Sequence, residues 1–149
     1  MTCTACDSSY HVDSDNMTCT SCSNWCTDCV NSTYCTACSS GYYLFNDSCL
    51  DCASAVNNSA TCDNSSAATS CSSGYYLMSG ACNMCSSINS SWLTCNQSVA
   101  FSCNTSYYLS AGTCMACINA TNDNSMATCS NETHALSCNS GFFLNNNNC

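Results

Sequence analysis

The chain has no lysine and no arginine, and its nine acids leave a formal charge of -9. Nucleic acid and anionic membrane surfaces are held mainly by cationic side chains, so neither is expected as a partner. The same absence removes every trypsin site and leaves no cation to stabilise an anionic intermediate. No serine sits in a nucleophile elbow. His11 falls in a slot that other parts of the chain fill with Tyr or Phe, and His134 falls in a variable loop. Both read as tolerated substitutions, and no enzyme is expected. Long apolar runs are missing too: none approaches the roughly 18 residues that span a bilayer, and no secretory signal precedes Cys3. No segment carries a helical period. A chain that looks secreted yet starts in mid-repeat is expected to be a processed product or a segment of a longer array.

Cysteine, by contrast, supplies 21 of the 149 residues. That density is the mark of a disulfide scaffold in an oxidising compartment. The cysteines keep register: Cys38-Ser-Ser-Gly-Tyr-Tyr-Leu44 closes at Cys49, and the same step recurs at Cys71 to Cys82, Cys103 to Cys114 and Cys138 to Cys149. Each closing cysteine opens the next unit, as in Cys49-x2-Cys52, Cys82-x2-Cys85 and Cys114-x2-Cys117. The period is about 32 residues, the self-similarity of a repeat array. It divides the chain into a partial repeat over 1–18, a repeat with an extra cysteine pair over 19–48, and repeats over 49–81, 82–113 and 114–149. Units this small cannot bury a core of their own and need bridges, metal or neighbours.

Gly-Tyr-Tyr-Leu followed by Asn46-Asp47, Ser79-Gly80 or Ala111-Gly112 reads as a short strand before a tight turn. Alternation puts Tyr42 and Leu44 on one face and Tyr43 on the other. The aromatic slots (Tyr42 and Tyr43, Tyr75 and Tyr76, Tyr107 and Tyr108, Phe142 and Phe143) are expected to pack repeat against repeat. The expected fold is small, disulfide-rich, mostly β and irregular: an elongated tandem-repeat rod of stapled short hairpins, on the order of 90 Å long.

The spacing Cys22-x3-Cys26-x2-Cys29-x5-Cys35-x2-Cys38 closely resembles the first rung of furin-like cysteine-rich repeats. That resemblance implies a crossed pair, Cys22 with Cys29 and Cys26 with Cys35, followed by a hairpin bridge from Cys38 to Cys49. A comparison within the chain supports the crossed pair. Positions matching Cys26 hold Ser59, Trp92 and Met126, and those matching Cys35 hold Ala68, Ala100 and Ala135. Both cysteines are missing together three times, as expected for bonded partners. The remaining pairs follow as Cys6 with Cys19, Cys52 with Cys62, Cys71 with Cys82, Cys85 with Cys95, Cys103 with Cys114, Cys117 with Cys129, and Cys138 with Cys149. Cys3 is left over. It aligns with Cys35, so its partner is expected in an upstream unit or across a subunit junction.

Asn-x-Ser/Thr sequons stand at Asn16, Asn31, Asn46, Asn57, Asn64, Asn89, Asn96, Asn104, Asn119 and Asn131. Several keep step with the repeat, so a coat of covalent glycans is expected, with no other cofactor. Asp13-Ser-Asp15-Asn16 starts like a calcium loop but lacks its Gly and distal Glu. Cys49, Cys52, Cys62 and Cys71 could form a four-thiolate zinc site. Stacking several such sites would compound negative charge in a chain without cations.

Taken over its whole length, the chain resembles the cysteine-rich arrays of protist surface proteins, namely ciliate immobilisation antigens and diplomonad variant-specific surface proteins. Recurring Cys-x2-Cys and Gly-Tyr-Tyr-Leu segments carry the likeness, which implies an extracellular, non-enzymatic surface or matrix role. The expected function is an extracellular or cell-surface structural glycoprotein whose copies join head to tail, Cys3, Ala5 and Tyr10 of one meeting Phe142, Phe143 and Cys149 of the next. The alternatives are a furin-like binding module or surface-antigen segment, for which exposed aromatics outside the repeating slots (Trp25, Trp92) are the telling feature, and a cysteine-rich metal-binding protein.

Overall fold

The structure is a computed structural model that describes residues 4–15, 17–118 and 124–149. Among the described residues it is a small, mostly β, disulfide-stapled array of eight separate two-stranded hairpins. Two kinds of hairpin alternate along the chain. The first kind carries the aromatic slots: β1 (Tyr10–Val12) with β2 (Cys19–Ser21), β5 (Tyr42–Phe45) with β6 (Ser48–Asp51), β9 (Tyr75–Met78) with β10 (Ala81–Met84), and β13 (Tyr107–Ser110) with β14 (Thr113–Ala116). The second kind, called core hairpins below, comprises β3 (Cys26–Asn31) with β4 (Tyr34–Cys38), β7 (Ser59–Asn64) with β8 (Ala67–Cys71), β11 (Trp92–Cys95) with β12 (Ala100–Cys103), and β15 (Met126–Asn131) with β16 (His134–Cys138). After β16 a fifth aromatic segment closes through a single bridge, Asn145 with Asn148.

Three of the aromatic hairpins, β5–β6, β9–β10 and β13–β14, turn on two residues that both have positive φ: Asn46 and Asp47 at 46° and 62°, Ser79 and Gly80 at 51° and 79°, Ala111 and Gly112 at 47° and 78°. That is the primed turn whose twist matches paired strands, and it favours Asn, Asp and Gly. Asn146 and Asn147, at 46° and 63°, form the same turn in the last segment, a site the sequence reading did not single out. Gly80 and Gly112 lack side chains for a second reason. A β-carbon on Gly80 would lie 3.3 Å from Ala67 Cβ, and one on Gly112 would lie 3.0 Å from Val99 Cβ.

Core hairpins share one bulged register. Cys26 pairs with Cys38, Asp28 with Ala37 and Cys29 with Cys35; one repeat later Ser59 pairs with Cys71, Thr61 with Ser70 and Cys62 with Ala68. The chain also forms one turn of α-helix, α1 (Cys52–Ala55), and a 3-10 turn at Cys85–Ser87. Sequence periodicity gave no helix, because one turn is too short to show a period. Asp51 nucleates α1 locally, its carboxylate accepting from Ser54 N at 2.9 Å and Ser54 Oγ at 2.6 Å.

Among the described residues the buried side chains fall into four small clusters, each centred on bridged cysteines: Cys26, Cys29 and Cys35; Tyr43, Cys52 and Cys62; Cys85, Trp92, Cys95, Ala100 and Cys114; and Cys117, Met126, Cys129 and Ala135. The chain separates into two compact units, Met1–Ser72 with Leu77–Cys82, and Ser73–Tyr76 with Asn83–Cys149. Among the described residues no helix is long and apolar enough to cross a membrane.

Candidate functional site

Bridges come first because they decide what chemistry the cysteines retain. Cys22 is bonded to Cys29 and Cys26 to Cys35, with Cys38 bonded to Cys49. The other bridges are Cys6 to Cys19, Cys52 to Cys62, Cys71 to Cys82, Cys85 to Cys95, Cys103 to Cys114, Cys117 to Cys129 and Cys138 to Cys149. Cys3 lies outside the described residues. In this structure Cys52 and Cys62 are bonded to each other, Cys49 to Cys38 and Cys71 to Cys82, so all four sulfurs of the four-cysteine set lie in bridges. Two groups of ligand-type atoms do cluster, His11 with Cys22 and Cys29, and Cys26 with Cys35 and Cys49. Every sulfur in them is spent in a bridge.

His11 shows why a histidine is accepted in an aromatic slot. Its side chain is only 8% exposed; Nδ1 lies 3.5 Å from Cys29 Sγ and Nε2 lies 3.4 Å from Asp13 Oδ1. Asp13 also accepts from the hydroxyls of Thr20, at 2.6 Å, and Thr18, at 3.0 Å. These two hydroxyls, with His11 adding a smaller effect, hold the Asp13 carboxyl below its ordinary value. Asp15 Oδ1 accepts from the backbone of Met17 and Thr18. The acidic stretch is therefore turn chemistry, with its oxygens engaged inside the chain; Asn16 lies outside the described residues. His134, in the second unit, is exposed and meets the neighbouring Thr133 hydroxyl at 3.1 Å.

The sequons follow a common local geometry. Asn31 Oδ1 accepts from Thr33 N and Thr33 Oγ1, both at 2.9 Å; Asn64 does the same with Ser66 at 2.9 and 2.8 Å, and Asn131 with Thr133 at 2.9 and 3.0 Å. These are side-chain turns that close the core hairpins, and they need both the Asn and the hydroxyl residue two positions on. Turn chemistry thus accounts for the sequon register by itself. It also leaves each amide nitrogen, the atom that would carry sugar, outside the turn on an exposed residue. Asn89 and Asn96 are exposed and make related turns with Ser91 and Ser98; Asn46 and Asn57 are exposed as well. Asn104 differs: it is half-buried and its Nδ2 donates to Ser90 O at 2.8 Å. Asn139, in the matching position, donates in the same way to Asn124 O at 2.7 Å. The Asn104 amide therefore serves the fold. Asn119 lies outside the described residues.

No known protein family, curated protein or solved structure matches this chain. The cysteine-rich hairpin array is what the structure supports, without a family assignment.

The junctions between hairpins repeat most closely. Tyr43 packs on the Cys52–Cys62 bridge, Tyr76 joins the cluster of Cys85, Trp92 and Cys95, and Tyr108 joins that of Cys117, Met126 and Cys129. Each junction also carries a backbone bond from the opening cysteine: Cys22 N to Ser9 O, Cys52 N to Gly41 O, Cys85 N to Gly74 O and Cys117 N to Ser106 O, all at 2.8 to 2.9 Å. Of the two tryptophans, Trp92 is buried in the cluster that also holds Ala100, whereas Trp25 is 57% exposed. Trp25 has φ of 65°, rare for a bulky residue, and its ring stacks on Tyr42 at 4.7 Å with 9° between planes.

Proposed function

We propose that this chain is an extracellular structural glycoprotein: a disulfide-stapled, sugar-coated repeat that joins through its ends into a fibre or surface coat, with no catalytic role. The observation that carries the reading is the ten bridges found among the described residues, which recur at successive hairpin junctions. Such cross-linking belongs to an oxidising setting and resists local opening. The absence of Lys and Arg supports it further by denying basic-residue proteases a site. That Asn31, Asn64 and Asn131 are exposed residues at hairpin turns supports the sugar coat. Intact mass of native protein before and after enzymatic deglycosylation tests the reading. A loss of several glycan masses is expected; a chain of unmodified mass would reject the coat.

The exposed Trp25 and Tyr42 stack favours a second reading, a binding module. Light scattering of native protein at rising concentration separates the two. Mass growth by whole chains supports assembly, whereas a constant monomer mass leaves the binding module.

A further inference from the structure

The bridges that tie an opening cysteine to its core hairpin match in the repeat but differ in their surroundings. They are Cys22–Cys29, Cys52–Cys62, Cys85–Cys95 and Cys117–Cys129. In the last three the opening cysteine is buried, Cys52 at 1%, Cys85 at 0% and Cys117 at 3% exposure, whereas Cys22 is half-buried. A shorter loop accompanies this: the sequence separation is 7, against 10, 10 and 12, and Cys22 begins no turn of helix as Cys52 and Cys85 do. At the other end of the bridge Cys29 is buried. The slot that holds Tyr43, Tyr76 or Tyr108 at the other junctions holds His11 here. Its Nδ1 lies 3.5 Å from Cys29 Sγ and its Nε2 lies 3.4 Å from Asp13 Oδ1. A bridged sulfur and a carboxylate are both acceptors, so the ring, when it carries a proton, meets a partner at each nitrogen.

We propose that Cys22–Cys29 is a stoichiometric thiol-exchange site, at which a small aliphatic thiol bonds to Cys22 while Cys29 departs beside His11. The incoming thiolate reaches the half-buried Cys22, and burial shields Cys29. A bond forms between the incoming sulfur and Cys22 Sγ, the Cys22–Cys29 bond breaks, and its electron pair leaves on Cys29 Sγ. The Nδ1 proton of the His11 imidazolium passes to that sulfur. The products are a mixed disulfide on Cys22, a Cys29 thiol and a neutral ring, and attack of Cys29 on Cys22 reverses the step. A stabilised thiolate leaves faster, and a neighbouring cationic histidine stabilises one; the tyrosines at the other junctions bring no cation. Opening this bridge still leaves β3–β4 stapled, because Cys26–Cys35 crosses the same hairpin. The matching positions elsewhere hold Ser59 and Ala68, Trp92 and Ala100, and Met126 and Ala135, so those core hairpins have no such second staple. The exchange takes up one thiol per chain and turns nothing over, so it goes beyond the structural reading without contradicting it.

The test adds reduced glutathione to the full oxidised chain after any free thiol has been alkylated, then quenches samples over time with a second, isotopically distinct alkylating agent. Peptide mapping should find the first new thiol on Cys29 and glutathione on Cys22. This bridge should open at least about tenfold faster than Cys52–Cys62, Cys85–Cys95 or Cys117–Cys129, because its leaving thiolate alone has a cationic neighbour. His11→Tyr, which installs the residue of the other slots, should remove most of that advantage in a chain whose bridges map correctly. If the His11→Tyr chain does not form its bridges, the parent chain decides through the position of the glutathione and the ratio of opening rates. Glutathione on Cys29 overturns the proposal, and so does opening no faster than at the other three bridges. An unchanged rate in a correctly bridged His11→Tyr chain overturns it too, since exposure of Cys22 is then the whole cause. None of these results bears on the glycan mass measurement, so the exchange site can fail while the structural reading stands.

Discussion

Installing a bridge at Ser59 and Ala68 tests whether the repeats share one register. These residues occupy the positions of Cys26 and Cys35, and β7–β8 repeats the bulged pairing of β3–β4 residue for residue. The template bridge has a sequence separation of 9 and a Cα separation of 5.8 Å. Closing a loop of about ten residues removes about 2.7 kcal/mol of unfolded-chain entropy at 25 °C in the chain-entropy account. Ser59 Oγ is buried without a hydrogen-bond partner among the described residues, so exchanging it for sulfur should add to the gain. Native-state hydrogen exchange reads the effect locally. The β7–β8 amides of the oxidised Ser59→Cys/Ala68→Cys protein should exchange roughly a hundredfold more slowly, since each 1.4 kcal/mol is tenfold. Two free thiols in the folded double variant, or a correct bridge with unchanged exchange, would refute the shared register and its energetics.

Site mapping of native protein should find sugar at Asn31, Asn64 and Asn131 and a bare Asn104, because only the last spends its amide nitrogen inside the fold; an occupied Asn104 would contradict this. Trp92→Ala should leave a cavity in the cluster of Cys85, Cys95 and Ala100 and cost about 3 to 5 kcal/mol, read as faster exchange in β11–β12. Asp51 is held below its ordinary carboxyl value, first by its bond from the Ser54 hydroxyl. A lowered folded pKa means that the cap's contribution is fully present above the unfolded value, near 3.8, and is lost as pH falls through the lowered folded one. The protection factor of the α1 amides, taken relative to intrinsic exchange at each pH, should therefore fall on acidification in the parent chain, and Asp51→Asn should flatten that dependence.

Much of the fold was legible because bridged cysteines leave their spacing in the sequence even where one pair is replaced. Joint absence at the Cys26 and Cys35 positions points to one pair, and that pair is bonded in the structure. Turn residues such as Ser79-Gly80 were equally readable from their need for positive φ. Less was legible where a residue serves two purposes. The Asn-x-Ser/Thr spacing looked like a glycan register, yet Asn31, Asn64 and Asn131 also close turns with that motif. Asn104 carries the motif but faces Ser90. Trp25 could not be placed from sequence, because its outward position follows from a positive φ that the matching Asn58 adopts more easily, at 62°.

The central proposal, a chain held by bridges and coated with sugar, is tested most directly by non-reducing peptide mapping of the native protein. The account predicts Cys26 joined to Cys35, Cys22 to Cys29 and Cys52 to Cys62, with sugar on the peptides of Asn31, Asn64 and Asn131. A map joining Cys26 to Cys29, or free thiols accompanied by several equivalents of zinc, would contradict it.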